Sequence, residues 1–600
     1  MKYFLMLFVL LFPLAGKAQT LGESKVMNFE ELAASEARNA AQKINFKSAA
    51  ATANYDLVYH RLDWEVDPRE PTIQGTVTSH FQALTDMVEI VFDLAGNMNV
   101  TSVRQREANL DFSHEKDDRL YIKLNETLES GRLDSLSITY QGNPVSSGFG
   151  SFEVSTHGSS KTPVLWTLSE PYGAKGWWPC KQDLIDKVDS VDIFITHPAA
   201  YKAASNGTLI SEKETGDKIT THWRHRYPIP AYLIAIAVTN YRVNRQSVSQ
   251  APFEIVNYVY PETYEQTVRS LAVTPSVMNF FREKFGEYPY SKEKYGHAQF
   301  GWGGGMEHST MSFMGSWSRG LIAHELAHQW FGNKITCASW QDIWLNEGFA
   351  TYLDGLVTEK FDGDRSFASW RKYLNREITS KPSGSVFVSD TTSVSRIFNS
   401  RLSYRKGAMV LHMLRYKLGD EDFFNGLRSY LQDPELAYNY AATPDLIRHL
   451  ERASGKDLDR FFKDWIYGQG YPTYDVIWSQ SEEGMLNFQV NQTQSHSSVS
   501  FFEMPLPVAV YGTGGEVENL RMEISENGQN FSVDPGFTVS SVEIDPDSHL
   551  ISGLNEVTLG LDEQTLDKSI AVYPIPVKDL LKIRNEWVSE LIRITIYDIQ

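Results

Sequence analysis

Alternating apolar and polar positions mark the chain from about residue 50 to residue 250. The runs 57–66, 72–84, 87–94, 119–124 and 133–140 mix this alternation with β-branched and aromatic residues. Asp67-Pro68, Ala95-Gly96-Asn97 and Gly142-Asn143-Pro144 break the pattern at about ten-residue intervals. The spacing predicts a β-rich domain, and the continuous apolar run 231–238 reads as a buried strand within it. Past residue 251 the period lengthens. Val268, Leu271 and Ala272, then Met278, Phe281 and Phe285, recur at helical spacings, with Gly286 where a C-terminal cap belongs. Thr443 reads as a helix N-cap with Pro444 and Asp445 in the first turn, and Gly455 as the end of that helix. Residues 251–470 are therefore predicted to be mainly helical. Over 471–556 alternation returns, as at Leu486, Phe488, Val490 and at Leu506, Val508, Val510, which predicts a β-sandwich-like module. A short Ala- and Glu-rich helical segment is expected within 19–49. The fold class is multidomain α+β.

Composition narrows the function. Hydrophobic residues make up 42% of the 600 positions and charged residues 22%, so the chain can bury several cores and is not disordered in bulk. A formal net charge of −19 argues against a phosphate backbone as partner, and nucleic acid is not expected. Lys2, the apolar run 3–15 and the small residues Gly16 and Ala18 have the layout of a cleavable export signal over 1–18, with the mature chain starting near Gln19. That run is too short for a stable membrane span, and no later stretch is long enough. Export would expose the chain to oxidising conditions, yet Cys180 and Cys337 are its only cysteines. Disulfides are not the scaffold; the two thiols either pair or lie buried apart.

Candidate chemistry is concentrated between residues 304 and 404. In His324-Glu325-Leu326-Ala327-His328, four residues advance a helix by about 400°, so both imidazoles share one face and can reach one metal. Glu325 is placed to deprotonate a water on the open side of such a metal. A catalytic zinc takes a third protein ligand. Glu347, eighteen intervening residues later and flanked by Trp344, Leu345 and Phe349, is a carboxylate whose burial calls for a positive partner. In Gly304-Gly305-Met306-Glu307-His308, glycines let a strand edge approach an extended peptide, and a neighbouring carboxylate can capture an ammonium group. Tyr404, ahead of the apolar run 408–418, can donate a hydrogen bond to a developing oxyanion or simply pack.

Over about 50–475, these motifs and their order resemble the gluzincin aminopeptidases, the family of aminopeptidase N and leukotriene hydrolase. Gln329-Trp330-Phe331-Gly332-Asn333 and the stretch from Trp340 to Gly348 extend the match. The resemblance implies a saddle-like N-terminal β domain, a thermolysin-like catalytic domain and one zinc ion per chain, held by His324, His328 and Glu347. It further implies Glu325 as general base and Tyr404 as oxyanion stabiliser. Glu307, Gly304, Gly305, Met306 and His308 would bind substrate, and Glu170 in Ser169-Glu170-Pro171 would be a second amine-binding group. His308 stands where the family usually has Asn. The expected activity is removal of N-terminal residues from peptides with a free amine. A zinc endopeptidase of thermolysin type and a non-catalytic peptide-binding surface protein are the alternatives. Finally, Ala571 to Leu580 and Ile592 to Asp598 resemble the start of a type IX secretion sorting domain over 570–600. That implies contact with the secretion machinery and an extracellular or outer-membrane-surface location, with the periplasm as alternative.

Overall fold

The structure is a computed structural model that describes residues 52–144, 151–184, 186–560, 570–573 and 582–585. The expected export signal, the 19–49 segment and most of the expected sorting segment lie outside the described residues. In the last, only Ile570–Tyr573 and Lys582–Asn585 are described, as an antiparallel pair.

The alternation seen in the sequence becomes an eight-stranded sheet. Tyr55–Val66 pairs antiparallel with Ile73–Ala83, which pairs with Leu133–Gly142, while Ser190–Pro198 joins the other side of Tyr55–Val66 in parallel. Leu57, Leu62, Trp64 and Val66 alternate inward, against Val77 and Phe81. A second sheet has the order Lys202–Ser205, Ile236–Thr239, Thr162–Leu168, Ser151–His157, and is antiparallel throughout. The run 231–238 is not one strand. Ala231–Leu233 forms a 3-10 turn and only Ile236–Thr239 is extended. Its continuous apolarity reflects burial of both parts, because Tyr232 through Val238 are all at or below 3% exposure.

The region expected to be mainly helical, 251–470, also contains a sheet. A five-stranded mixed sheet runs Arg242–Ser247, Glu254–Val259, Tyr295–Gln299, Ser312–Met314, Gly305–Met306. The helices Tyr264–Leu271 and Thr274–Phe285 follow the predicted period, and Gly286 caps the second. Helix Arg319–Ala327 starts at Ser318, whose hydroxyl accepts from the Leu321 amide (3.1 Å), a cap contributing about 1 kcal/mol. It packs on the long helix Trp344–Asp362, which in turn packs on Gly407–Leu418. Helix Thr443–Ser454 begins one residue earlier than the sequence implies. Ala442 is its N-cap and donates its amide to Asp445 Oδ2 (2.9 Å), while the Thr443 hydroxyl donates to Asp342 (2.6 Å) and accepts from Trp344 Nε1 (2.9 Å). Tertiary bonding has taken the threonine that local capping would have used.

The C-terminal unit contains a four-stranded sheet, Gln529–Val533, Leu486–Gln494, Pro472–Gln480, Glu556–Leu559, and a three-stranded sheet, Val517–Ile524, Met504–Gly512, Val539–Ile544. Leu486, Phe488, Val490, Leu506, Val508 and Val510 are buried, as their alternation predicts. Cys180 and Cys337 are separate buried free thiols. Among the described residues no helix is long and apolar enough to cross a membrane.

Candidate metal and substrate site

Two helices and a hairpin build the site. His324 lies in the last turn of Arg319–Ala327 and His328 is its C-cap residue, so one helix end supplies both imidazoles. Glu347 comes from the first turn of Trp344–Asp362. The Nε2 atoms of His324 and His328 lie 3.1 Å apart, and Glu347 Oε2 is 3.2 Å from the first and 3.5 Å from the second. Ligand atoms about 2.0–2.1 Å from a tetrahedral ion stand roughly 3.3 Å apart, so these three atoms are spaced as ligands of one zinc. All three side chains are buried, and Glu347 Oε2 has no hydrogen-bond partner. Such an orphaned buried carboxylate oxygen, facing two imidazole nitrogens, fits a metal ligand set. His328 donates from Nδ1 to the Phe331 carbonyl (3.2 Å), which fixes the tautomer with Nε2 toward the cluster.

The electrostatics call for a cation. Burial opposes a charge on His328, yet Glu347 and Glu307 push its pKa up to about 10. Glu347 resists its own burial, because His328 and His324 hold its carboxyl down at about 2. Glu325, next in sequence to His324, is 1% exposed and its Oε2 is unpartnered. Burial raises its pKa well above the carboxylate range, with Glu307 and Glu347 adding to the effect and His328 opposing it.

The hairpin Gly305–Met306 with Ser312–Met314 forms the other wall. A Cβ on Gly305 would lie 2.2 Å from Glu325 Oε1, so only glycine lets this strand pass the carboxylate. Gly304 accepts the Gly315 amide through its carbonyl (2.8 Å), and Met306 is buried opposite Phe313. Beyond the hairpin strand, Glu307 joins Glu325 and His328 with ligand atoms within 4.8 Å of one another. Glu170 joins Glu307 and Glu347 in a second set of the same dimension. Glu170 and Glu307 are buried and each leaves Oε1 unpartnered. Burial, reinforced by Glu307 and Glu347, raises Glu170 well above the usual range; burial and Glu347, against His328, push Glu307 up to about 7. Two unpartnered carboxylates in one buried nest suit an ammonium group.

Tyr404 does not open a regular helix. It lies in a π-helical segment, Ser400–Lys406, that runs into Gly407–Leu418, and its ring is parallel to that of His324 (12°, centroids 6.2 Å). π-turns of this kind often occur at functional sites. His308 is not among the donors that converge on the cluster. Its buried ring, edge-on to Phe313 (4.4 Å), is kept neutral by desolvation, with a pKa lowered to about 3.

Sequence reasoning gave no individual role to the groups that hold the hairpin. Asn333 Nδ2 and Gln329 Nε2 donate to the Glu307 carbonyl (2.6 and 3.3 Å), and Gln329 Oε1 accepts from the Thr310 amide (2.9 Å). Their place just after His328 was the signal available. Tyr232, whose buried hydroxyl is unpartnered and whose phenol is raised by burial, then Glu307 and Glu170, carries no local signal at all.

Comparison with known proteins identifies the family. The peptidase M1 N-terminal domain model matches residues 52–233 and the peptidase family M1 domain model matches 269–465. The chain is 29% identical to glutamyl aminopeptidase of Rattus norvegicus over 65% of its own length and 44% of the relative's. It is 24% identical to probable aminopeptidase 2 of Sulfurisphaera tokodaii, over 76% and 59% respectively. The matched part thus spans about half the length of such relatives. An M1 zinc metallopeptidase from Deinococcus radiodurans, solved with a Tyr-Ser-Ala substrate, shares the fold at a TM-score of 0.59 and 24% identity, covering 69% of this chain and 95% of that one. The two domain models, in order and spanning well over half the chain, together with the zinc-spaced triad, lead to one conclusion: the chain belongs to the peptidase M1 family, whose cofactor is a single zinc ion.

Proposed function

We propose that the chain is a zinc aminopeptidase, releasing residues one at a time from the free N-terminus of peptides. The observation that carries this reading is the pair Glu170 and Glu307, two buried carboxylates with unpartnered oxygens set against the metal triad. An internal peptide segment brings no charge to neutralise them, whereas an N-terminal ammonium does. Bound at His324, His328 and Glu347, zinc would supply Lewis-acid chemistry, acidifying a water and polarising a carbonyl.

The chain's own groups do the rest. Glu170 and Glu307 hold the ammonium, which puts the first peptide bond beside the triad. Glu325 takes a proton from the attacking water and passes it to the departing amine. Tyr404 donates its phenolic hydrogen to the oxyanion as it develops. The hairpin strand Gly305–Met306 offers backbone to an extended substrate. His308, neutral and packed on Phe313, shapes that wall without adding charge.

Comparing an aminoacyl anilide with its N-acetylated form tests the reading. The free amine is expected to be cleaved at least about 100-fold faster in kcat/KM, since two charge-assisted hydrogen bonds are lost on acetylation. Equal rates would reject amine capture and favour a zinc endopeptidase. Export belongs to the same proposal, on the pattern of 1–18 and the sorting-like segment 570–600. It predicts enzyme in the medium or on the cell surface, and retention of the full-length chain in the cytoplasm would refute it.

A further inference from the structure

The two amine-facing carboxylates belong to different domains, so something must fix their separation. Glu170 follows strand Thr162–Leu168 in the second sheet of the N-terminal domain, and Glu307 follows Gly305–Met306 in the catalytic sheet. In the N-terminal sheet Ser205 pairs with Ile236, and Trp166 with Ala237. The C-terminal ends of Lys202–Ser205 and Thr162–Leu168 therefore flank the start of Ile236–Thr239. Asn206, Glu170 and Ala235 emerge at that one end, which meets the catalytic loop 307–310.

Asn206 is fully buried at this junction. Its Nδ2 donates to the Leu233 carbonyl (2.9 Å), and Oδ1 accepts the Ala235 amide (2.8 Å), both within the N-terminal domain. The second Nδ2 hydrogen crosses to the Ser309 carbonyl (2.9 Å), two residues from Glu307. Beside it, the Gly207 amide donates to Thr310 Oγ1 (2.7 Å). Thr310 sits at a φ of 66° and is held by Lys294 Nζ (3.0 and 3.2 Å) and by Gln329, the residue that also grips the Glu307 carbonyl. One carboxamide thus ties the turn beside Glu170 to the loop carrying Glu307, with both its hydrogens in use.

We propose that Asn206 is a positioning residue for amine recognition, setting the spacing of Glu170 from Glu307 across the domain junction. The inference rests on the amine-capture reading above. Because Asn206 touches neither the triad nor Glu325, its loss acts on the hold over the ammonium and leaves the chemical step in place.

The test uses the full zinc-loaded chain. Asn206→Ala is expected to raise KM for an aminoacyl anilide about tenfold, the worth of one buried hydrogen bond, with kcat within about threefold of the parent. Zinc content should stay at the parental value. In a Glu325→Gln background, the calorimetric Kd for an amino-acid amide should weaken in parallel. Thr310→Val removes the adjoining contact from the opposite side and should shift KM in the same direction. It decides the matter if Asn206→Ala does not fold. Unchanged KM in these variants, or a loss confined to kcat, would overturn the role of Asn206 while Glu307→Gln still raises KM. If Glu307→Gln also leaves KM unchanged, amine capture itself fails and the proposal falls with it.

Discussion

At the scale of single residues, the site sets two buried carboxylates in opposite electrostatic surroundings. Glu347 is kept ionised by two imidazoles, whereas Glu325, under the same burial, is pushed the other way because no cation bonds to it. Replacing Glu325 by Gln keeps the shape and removes the proposed proton carrier. The expected result is a fall in kcat of about 10²–10⁴-fold with one zinc still bound, read by steady-state kinetics and metal analysis on the same preparation. Tyr404→Phe should lower kcat by about 10²–10³-fold with little change in KM, because its hydrogen bond forms as charge develops on the carbonyl oxygen. Near-parental kcat in either variant would remove that residue from the mechanism. These candidate residues were legible in the sequence because each sits in a short motif whose helical or hairpin geometry is local. His308 was legible only as a member of such a motif. Its packing on Phe313 depends on a strand pairing that no spacing encodes.

At the scale of elements, the cluster depends on how closely two helices approach. A Cβ on Gly407 would lie 3.1 Å from Gly348 Cα, and one on Gly348 would lie 3.1 Å from the Gly407 backbone. This crossing joins the helix that carries Glu347 to the one that continues from Tyr404. Gly407→Ala must push the backbones apart by a few tenths of an ångström, at about 1–3 kcal/mol of stability. The lowered Tm should be accompanied by a kcat reduced up to about 100-fold, as phenol and carboxylate move relative to each other. An unchanged kcat would show that the crossing does not set their geometry. Element boundaries were readable where the signal was local, as at Gly286 and Gly455. They shifted where a distant partner competed. Thr443 looked like a cap until Asp342 and Trp344 claimed its hydroxyl, and 231–238 looked like a strand because a buried turn is as apolar as a buried strand.

At the scale of the whole molecule, the catalytic and C-terminal units meet through a histidine pair. His412 Nε2 and His549 Nδ1 are 3.0 Å apart with nearly parallel rings, and Arg371 donates to the Asp547 carbonyl beside them. Burial, then Arg371, His549 and Arg415, holds His412 well below its usual value. Burial and Arg371, opposed by Asp547, lower His549 to about 4. Between about pH 6.5 and 4 the unfolded chain binds protons that the folded chain refuses, so stability falls as pH drops through that window. Tm should decline from pH 7 to pH 5 more steeply in the parent than in His412→Asn/His549→Asn; parallel curves would contradict this. Contacts of this kind were beyond sequence reasoning. His412 and His549, like Asn206 and Ser309, lie more than a hundred residues apart, and only the assembled topology makes them neighbours.

The division of the proposed ammonium nest between two domains has a further consequence. In the proposed reading the zero mark from which cleavage is measured belongs to neither half alone, since Glu170 precedes Glu307 by more than a hundred positions and Tyr404 follows by just under a hundred. A proteolytic fragment lacking the half that carries Glu170 would keep the blade and lose part of the ruler, so a nick between the halves that lets them drift apart should relax where cutting occurs before it abolishes cutting.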